Sequence, residues 1–171
     1  MYRYAEGFPR MVRSGAAALL VLFLAQTATQ GKAAEGAVLT IDGAVTAEGG
    51  ALHFDMAALQ ALPSVSFSTA TNWTEGSATF TGVALKTLLD AAGATGTEVE
   101  AIALNNYAAA IPIDSIDADT PIVAYAIDGA PFPRRDKGPL WVVYPYDESA
   151  AYRNELVYGR SVWQLRALRV K

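Results

Sequence analysis

The alternation of apolar and polar positions divides the chain into short strands and a few helical stretches. Residues 38–42 (VLTID) alternate and run into Gly43, a strand and its turn, with residues 52–54 as a candidate partner. Asp55 is placed to cap a helix over 56–62 that Pro63 stops. Residues 65–71 (VSFSTAT) alternate large and small, which predicts a strand with Val65 and Phe67 on one face. A loop over 72–76 and a short strand over 78–81 follow. From Gly82 the period changes: Val83, Leu85, Leu88 and Leu89 make one apolar stripe, so a helix is predicted over 83–92, ended by Gly93. Residues 98–104 and 108–112 read as strands about a turn at 105–107, and 114–117 as at most one helical turn. The nearly continuous apolar run 122–127 (IVAYAI) predicts a central strand before the Asp128-Gly129 turn. Residues 140–144 read as another buried strand, and 152–159 as part helix, part loop. The closing run 161–170 (SVWQLRALRV) predicts a strand whose alternation slips at Arg166 and Ala167, as a bulge would make it. The expectation is an α+β domain with a mixed β-sheet and two or three helices.

Composition sharpens this picture at the N-terminus. Arg3, Arg10 and Arg13 precede or flank an apolar run over 15–25, too short for a membrane span, and small residues follow. Residues 1–33 therefore read as a signal peptide cleaved after Ala33, with an uncleaved anchor as the competing reading, and residues 34–171 as one domain. Without residues 1–33 the chain holds 9 basic and 16 acidic side chains, a net charge of −7. Such a surface repels nucleic acid, which binds through counterion release to positive groups. There is no cysteine, so no disulfide, thiol nucleophile or thiolate metal ligand is available.

Against the acidic background, residues 131–147 (PFPRRDKGPLWVVYPYD) stand out. Arg134, Arg135 and Lys137 surround Asp136, and Pro131, Pro133, Gly138 and Pro139 restrict the loop that carries them. Trp141, Tyr144 and Tyr146 come close behind. Cations held near flat rings suit a planar polar ligand, whereas a solvated turn before a buried strand is the plain structural reading. The usual nucleophile, metal and nucleotide signatures are missing, and His53 is the sole histidine, which excludes a multi-histidine metal site. Asp114, Asp117 and Asp119 lack calcium-loop spacing and read as solvated turn acids. The sequon-like Asn72-Trp73-Thr74 is too short to be informative.

What remains is polar and aromatic side chains at predicted strand ends. Trp73 follows 65–71, Asn106 and Tyr107 follow 98–104, the Arg134–Lys137 loop follows 122–127, and Tyr146 and Asp147 follow 140–144. If these ends share one rim, they form a pocket. Trp141 and Trp163 lie inside predicted strands, a position that favours the core for both.

Phe80-Thr81-Gly82-Val83 with Leu85, Leu88, Leu89 and Gly93 resembles the F/W-x-G-V-x-L-x-x-L-L-x-x-x-G segment of the molybdopterin-binding domain of sulfite oxidase-type oxidoreductases. The resemblance continues through Asn105-Asn106-Tyr107, Ile111-Pro112, Ile122-Val123-Ala124-Tyr125, Asp128-Gly129, Pro131, Arg135-Asp136-Lys137-Gly138-Pro139-Leu140-Trp141, Tyr144-Pro145 and Ser161-Val162-Trp163-Gln164-Leu165, covering about residues 65 to 170. It implies that family's fold. In the family's enzymes a cysteine at the end of the preceding strand holds molybdenum; here the region reads Ser68-Thr69-Ala70-Thr71-Asn72-Trp73. A short, cysteine-free, exported chain of this kind resembles periplasmic pterin-binding proteins. The resemblance implies a pterin as ligand, no metal, and a role without catalysis, reporting to the periplasmic domain of a membrane receptor of cyclic-di-GMP metabolism. The other reading is a molybdopterin-dependent oxidoreductase that lacks the cysteine ligand; the third is an interaction module that keeps only the fold. On the pterin reading Trp73 and Tyr107 stack on the ligand and Asn106 and Asp136 read its guanidine-like edge. Arg135 and Lys137 hold its oxo group or a side-chain anion, with Trp141 and Tyr146 beside them.

Overall fold

The computed structural model describes residues 36–133 and 135–171. The predicted signal segment 1–33 and Arg134 lie outside the described residues. Among the described residues no helix is long and apolar enough to cross a membrane.

Two five-stranded sheets carry the fold. The first has the order β2 (Ala51–Phe54), β1 (Leu39–Gly43), β10 (Leu165–Val170), β5 (Glu98–Ala103), β6 (Ala108–Pro112). It is mixed, because β1 runs parallel to β10 while the other neighbours are antiparallel. The second is antiparallel, with β3 (Ser64–Ala70) beside β4 (Ser77–Ala84) and β4 beside β7 (Ile122–Ile127). The far side of β7 pairs with the two-residue β8 (Ala130–Pro131) and with β9 (Trp141–Val143). The predicted central place of 122–127 is thus that of β7. Three α-helices complete the chain: α1 (Met56–Gln60), α2 (Leu85–Ala92) and α3 (Glu155–Arg160). Inward residues of both sheets, among them Leu39, Ile41, Phe80, Val83, Val99, Ile122 and Trp141, join the α2 leucines in one buried apolar cluster.

Local chemistry explains most boundaries. The Asp55 carboxylate accepts from the Ala58 amide at 2.7 Å and caps α1. Gly93 takes the left-handed conformation that ends α2, with φ of 62°. The predicted bulge in the last strand is present, as a register shift between Leu165 and Ala167 against β5.

Two sequence expectations require correction. The helix predicted from Val83 begins at Leu85, because β4 continues through Gly82, Val83 and Ala84 to pair with Ala124, Val123 and Ile122 of β7. The register shifts at Gly82, and the β7 backbone at Val123 and Ala124 comes so close that a Cβ at this position has no space. Likewise, the closing strand starts at Leu165 rather than Ser161, so 161–164 is a connecting segment and its side chains belong to the next feature.

Candidate functional site

The segment joining α3 to β10 forms one wall of a cleft of about 400 Å³. Ser161, Val162 and Trp163 come from this segment, and Glu155, Tyr158 and Gly159 from α3. The opposite wall is Ala103 at the end of β5, with Asn105 and Tyr107 from the β5–β6 turn; Trp73, from the loop after β3, completes the lining.

Each element is held by specific bonds. The Asn105 carboxamide oxygen accepts from the Tyr107 amide at 2.9 Å, shaping the turn. The Tyr107 hydroxyl then donates to the Gly159 carbonyl at 2.9 Å, tying the two walls together while half of the residue stays exposed. The Asn154 side chain accepts from the Val157 amide at 3.0 Å and caps α3. Ser161 is buried beneath the cleft. Its hydroxyl donates to the Val157 carbonyl at 2.8 Å and accepts from the Tyr146 hydroxyl, while its carbonyl accepts from Trp141 Nε1 at 3.1 Å.

Trp73 is the hub of the aromatic side chains. Its ring centre lies 5.6 Å from Trp163, 5.8 Å from Trp141, 5.9 Å from Tyr158 and 6.5 Å from Tyr146. All four contacts are edge-on, so none of these rings takes the stacked position against the indole. Glu155 is the one charged side chain in the lining, and it makes no hydrogen bond or ion pair with any described residue.

The predicted site residues are therefore distributed as follows. Trp73 and Tyr107 meet in the cleft. Trp141 and Tyr146 lie under it, fully buried and in ring contact with Trp73. Asn106 turns away: with φ of 67° it sends its carboxamide oxygen to Arg166 Nη2 at 2.9 Å, and its neighbour Asn105 lines the cleft instead. The cationic loop packs beside Trp141. Lys137 Nζ sits 5.7 Å from the Trp141 ring centre and 3.1 Å from the Asp136 carboxylate, and Gln164 binds the backbone carbonyls of both residues. Arg135 is exposed, and none of Arg135, Asp136 and Lys137 is in the lining. Trp163, expected in the core with Trp141, is 39% exposed, because it lies before β10, which begins only at Leu165. Glu155 and Tyr158 fall in the stretch divided between helix and loop; Asn154 as a cap was the available sign of a helix there.

Burial shifts the phenols under the cleft. It pushes Tyr146 up to about 12, with the Ser161 hydrogen bond acting in the opposite direction. Tyr144 is pushed up further, again chiefly by burial, and its hydroxyl has no partner among the described residues. A phenol with a raised folded pKa stays neutral in the fold while the unfolded chain ionises near its ordinary value of about 10. Stability is then intact below about pH 10 and falls as pH rises through the folded values, by at most about 1.4 kcal/mol per pH unit for each phenol. Thermal melts are expected to hold level from about pH 7 to 9 and to drop steeply from about pH 10, with a smaller drop in Tyr146→Phe. A melting temperature that does not change to about pH 11 would contradict this.

Comparison with known proteins identifies the family to which this fold belongs. Residues 28–152 match the family described as the oxidoreductase molybdopterin binding domain, and the chain belongs to that family. No curated protein matches it. Among solved structures it is similar to the sulfane dehydrogenase SoxCD from Paracoccus pantotrophus, with a TM-score of 0.60 and 20% identity. The match covers 77% of this chain and 37% of that one, so this chain corresponds to about a third of the larger protein. The α+β fold class and the sulfite oxidase-type resemblance both stand.

The cleft suits the organic half of the family's cofactor: flat rings line it, together with a carboxylate, Glu155, that pairs with no described residue and is of the type that accepts from a guanidine-like edge. The metal half finds a poorer donor set. The chain has no thiolate, and no group of three or more His, Asp or Glu is gathered among the described residues. Nor does any described cation line the cleft to meet a phosphate.

Proposed function

We propose that this is an exported, non-catalytic pterin-binding protein that reports occupancy to the periplasmic domain of a membrane receptor of cyclic-di-GMP metabolism. The observation that carries the reading is the cleft between α3 and the β5–β6 turn, lined by four aromatic side chains and one carboxylate that pairs with no described residue. A pterin is flat and presents adjacent N–H donors on its aminopyrimidinone edge. Trp73 and Trp163 supply surface for its face, Glu155 accepts from its edge, and Asn105 and Tyr107 complete the polar rim. Export and the receptor rest on the N-terminal sequence pattern and on the resemblance to periplasmic pterin-binding proteins.

The test is a titration of a fluorescent pterin against the metal-free exported protein. Saturable quenching is expected. Glu155→Gln removes a charge-assisted hydrogen bond and should weaken binding by about 10- to 100-fold. Arg135→Ala, outside the lining, should change it less than about threefold. Equal losses in the two variants would move the site to the cationic loop. No binding by the native chain would end the reading. Family membership favours a second reading, an oxidoreductase carrying molybdopterin; stoichiometric molybdenum in protein from a cofactor-competent host would select it.

A further inference from the structure

The second sheet ends on an open strand. β3 pairs with β4 on one side and, among the described residues, with no strand on the other. The orientation of its backbone groups follows from two bonds. The Ala70 amide donates to the Asp147 carboxylate at 2.7 Å, so it points away from β4. On β4, Thr79 exchanges its amide and carbonyl with Asp128, so it points away from β3 at the position facing Ser68. In an antiparallel pair, alternate residues point the same way. Ser64, Ser66 and Ser68 therefore direct both N–H and C=O outward, all three are exposed, and none of these backbone groups has a partner among the described residues. The open window has two ends on the outward side: Leu62, whose amide donates to the Leu59 carbonyl at 3.2 Å, and Ala70, whose amide Asp147 already occupies.

The remaining edges are protected. β6 lies against α3, and Arg160 donates to the Ala110 carbonyl on it at 3.1 Å. β8 has two residues, β9 is occupied on its outer side by the 161–164 segment, where the Val142 amide donates to the Val162 carbonyl at 2.9 Å, and β2 is short and abuts α1. Edge strands are usually blunted by charge, yet residues 56–74 contain no charged side chain in a chain that is net acidic.

We infer that β3 is a homodimer interface, on which a second copy of this chain adds its own β3 antiparallel about a two-fold axis at Ser66. Two features single out a second copy as the occupant. The open window is symmetric about Ser66, so Ser66 faces Ser66 and Ser64 faces Ser68, and every open N–H meets an open C=O. Such an isologous pairing uses one surface twice. Two acidic copies repel each other over most of their surface, and the uncharged stretch 56–74 is where they approach without that cost.

Light scattering after size exclusion on the full exported chain should give the mass of two chains, falling to one on dilution. Ser66→Lys and Ser66→Glu each place like charges opposite each other across the axis and should halve the mass, with circular dichroism unchanged because the position is exposed. Mixing the two variants should restore the mass of two chains. Three results would overturn the inference: a native chain that is monomeric at every concentration, a dimer that persists in Ser66→Lys, or a mixture that stays monomeric. The readout needs no pterin, so it is independent of the proposed ligand.

Discussion

Trp73→Ala is expected to weaken pterin binding by about 100-fold, at the upper end of what one aromatic stacking partner contributes to a flat base, about 1–3 kcal/mol. The upper end applies because the indole acts twice. It lines the cleft as a ring against which a flat ligand can pack, and its T-shaped contacts help set the places of Trp163 and Tyr158 on the cleft wall. Alanine removes the platform and frees those two rings. Trp73→Phe should keep a smaller platform and recover part of the affinity. The measurement is the pterin fluorescence titration, with a thermal melt of each variant to separate lost binding from lost fold. If both variants bind as the native chain does, the cleft is not the pterin site.

The largest stability effect should come from Trp141→Ala. The side chain is wholly buried, with ring centres of Phe80 at 5.4 Å, Trp73 at 5.8 Å and Phe132 at 5.9 Å. Truncation of a buried tryptophan costs about 3–5 kcal/mol through lost transfer energy and the cavity left behind. The Ser161 carbonyl also loses its Nε1 donor, which adds about 1 kcal/mol. For a domain of this size that lowers the melting temperature by roughly 10–20 °C. Leu156→Ala, on a residue 63% exposed, is the control and should stay within about 0.5 kcal/mol. A Trp141→Ala protein that melts within a few degrees of the native chain would show that the rings are not packed as described.

These two tryptophans show how differently fold and site were legible. The fold was readable because its evidence is periodic and local. Alternation found β3 and β5, the apolar run found β7, the leucine stripe found α2, and a slip in alternation found the β10 bulge. The ordered family motifs supplied the rest. One error arose where a local pattern competed with pairing: Val83 fits the α2 stripe, but β7 binds the backbone at 82–84 as strand.

The site was legible in its residue types more than in its membership. Trp73 and Tyr107 could be named because each follows a strand in a short turn. Asn106 could not be separated from Asn105, since the choice depends on which of them takes positive φ and which one Arg166 reaches. Glu155, Tyr158 and Trp163 were missed because α3 has only six residues and the next strand starts later than its alternation suggests. The run of cations drew attention by local charge, yet its backbone is bound by Gln164 and its lysine lies over Trp141, a core ring.

Secondary structure, the buried stripes, the missing sulfur ligand and the family were all written along the chain, because each depends on residues within a few positions or on composition. Which rings meet, which asparagine faces the cleft and which strand is left unpaired depend on distant segments. Trp73 touches residues 68 to 90 positions away, and β3 lies open because nothing later in the described chain returns to it. Contacts of that range come from the register of the sheets, which hydrophobic periodicity alone does not encode.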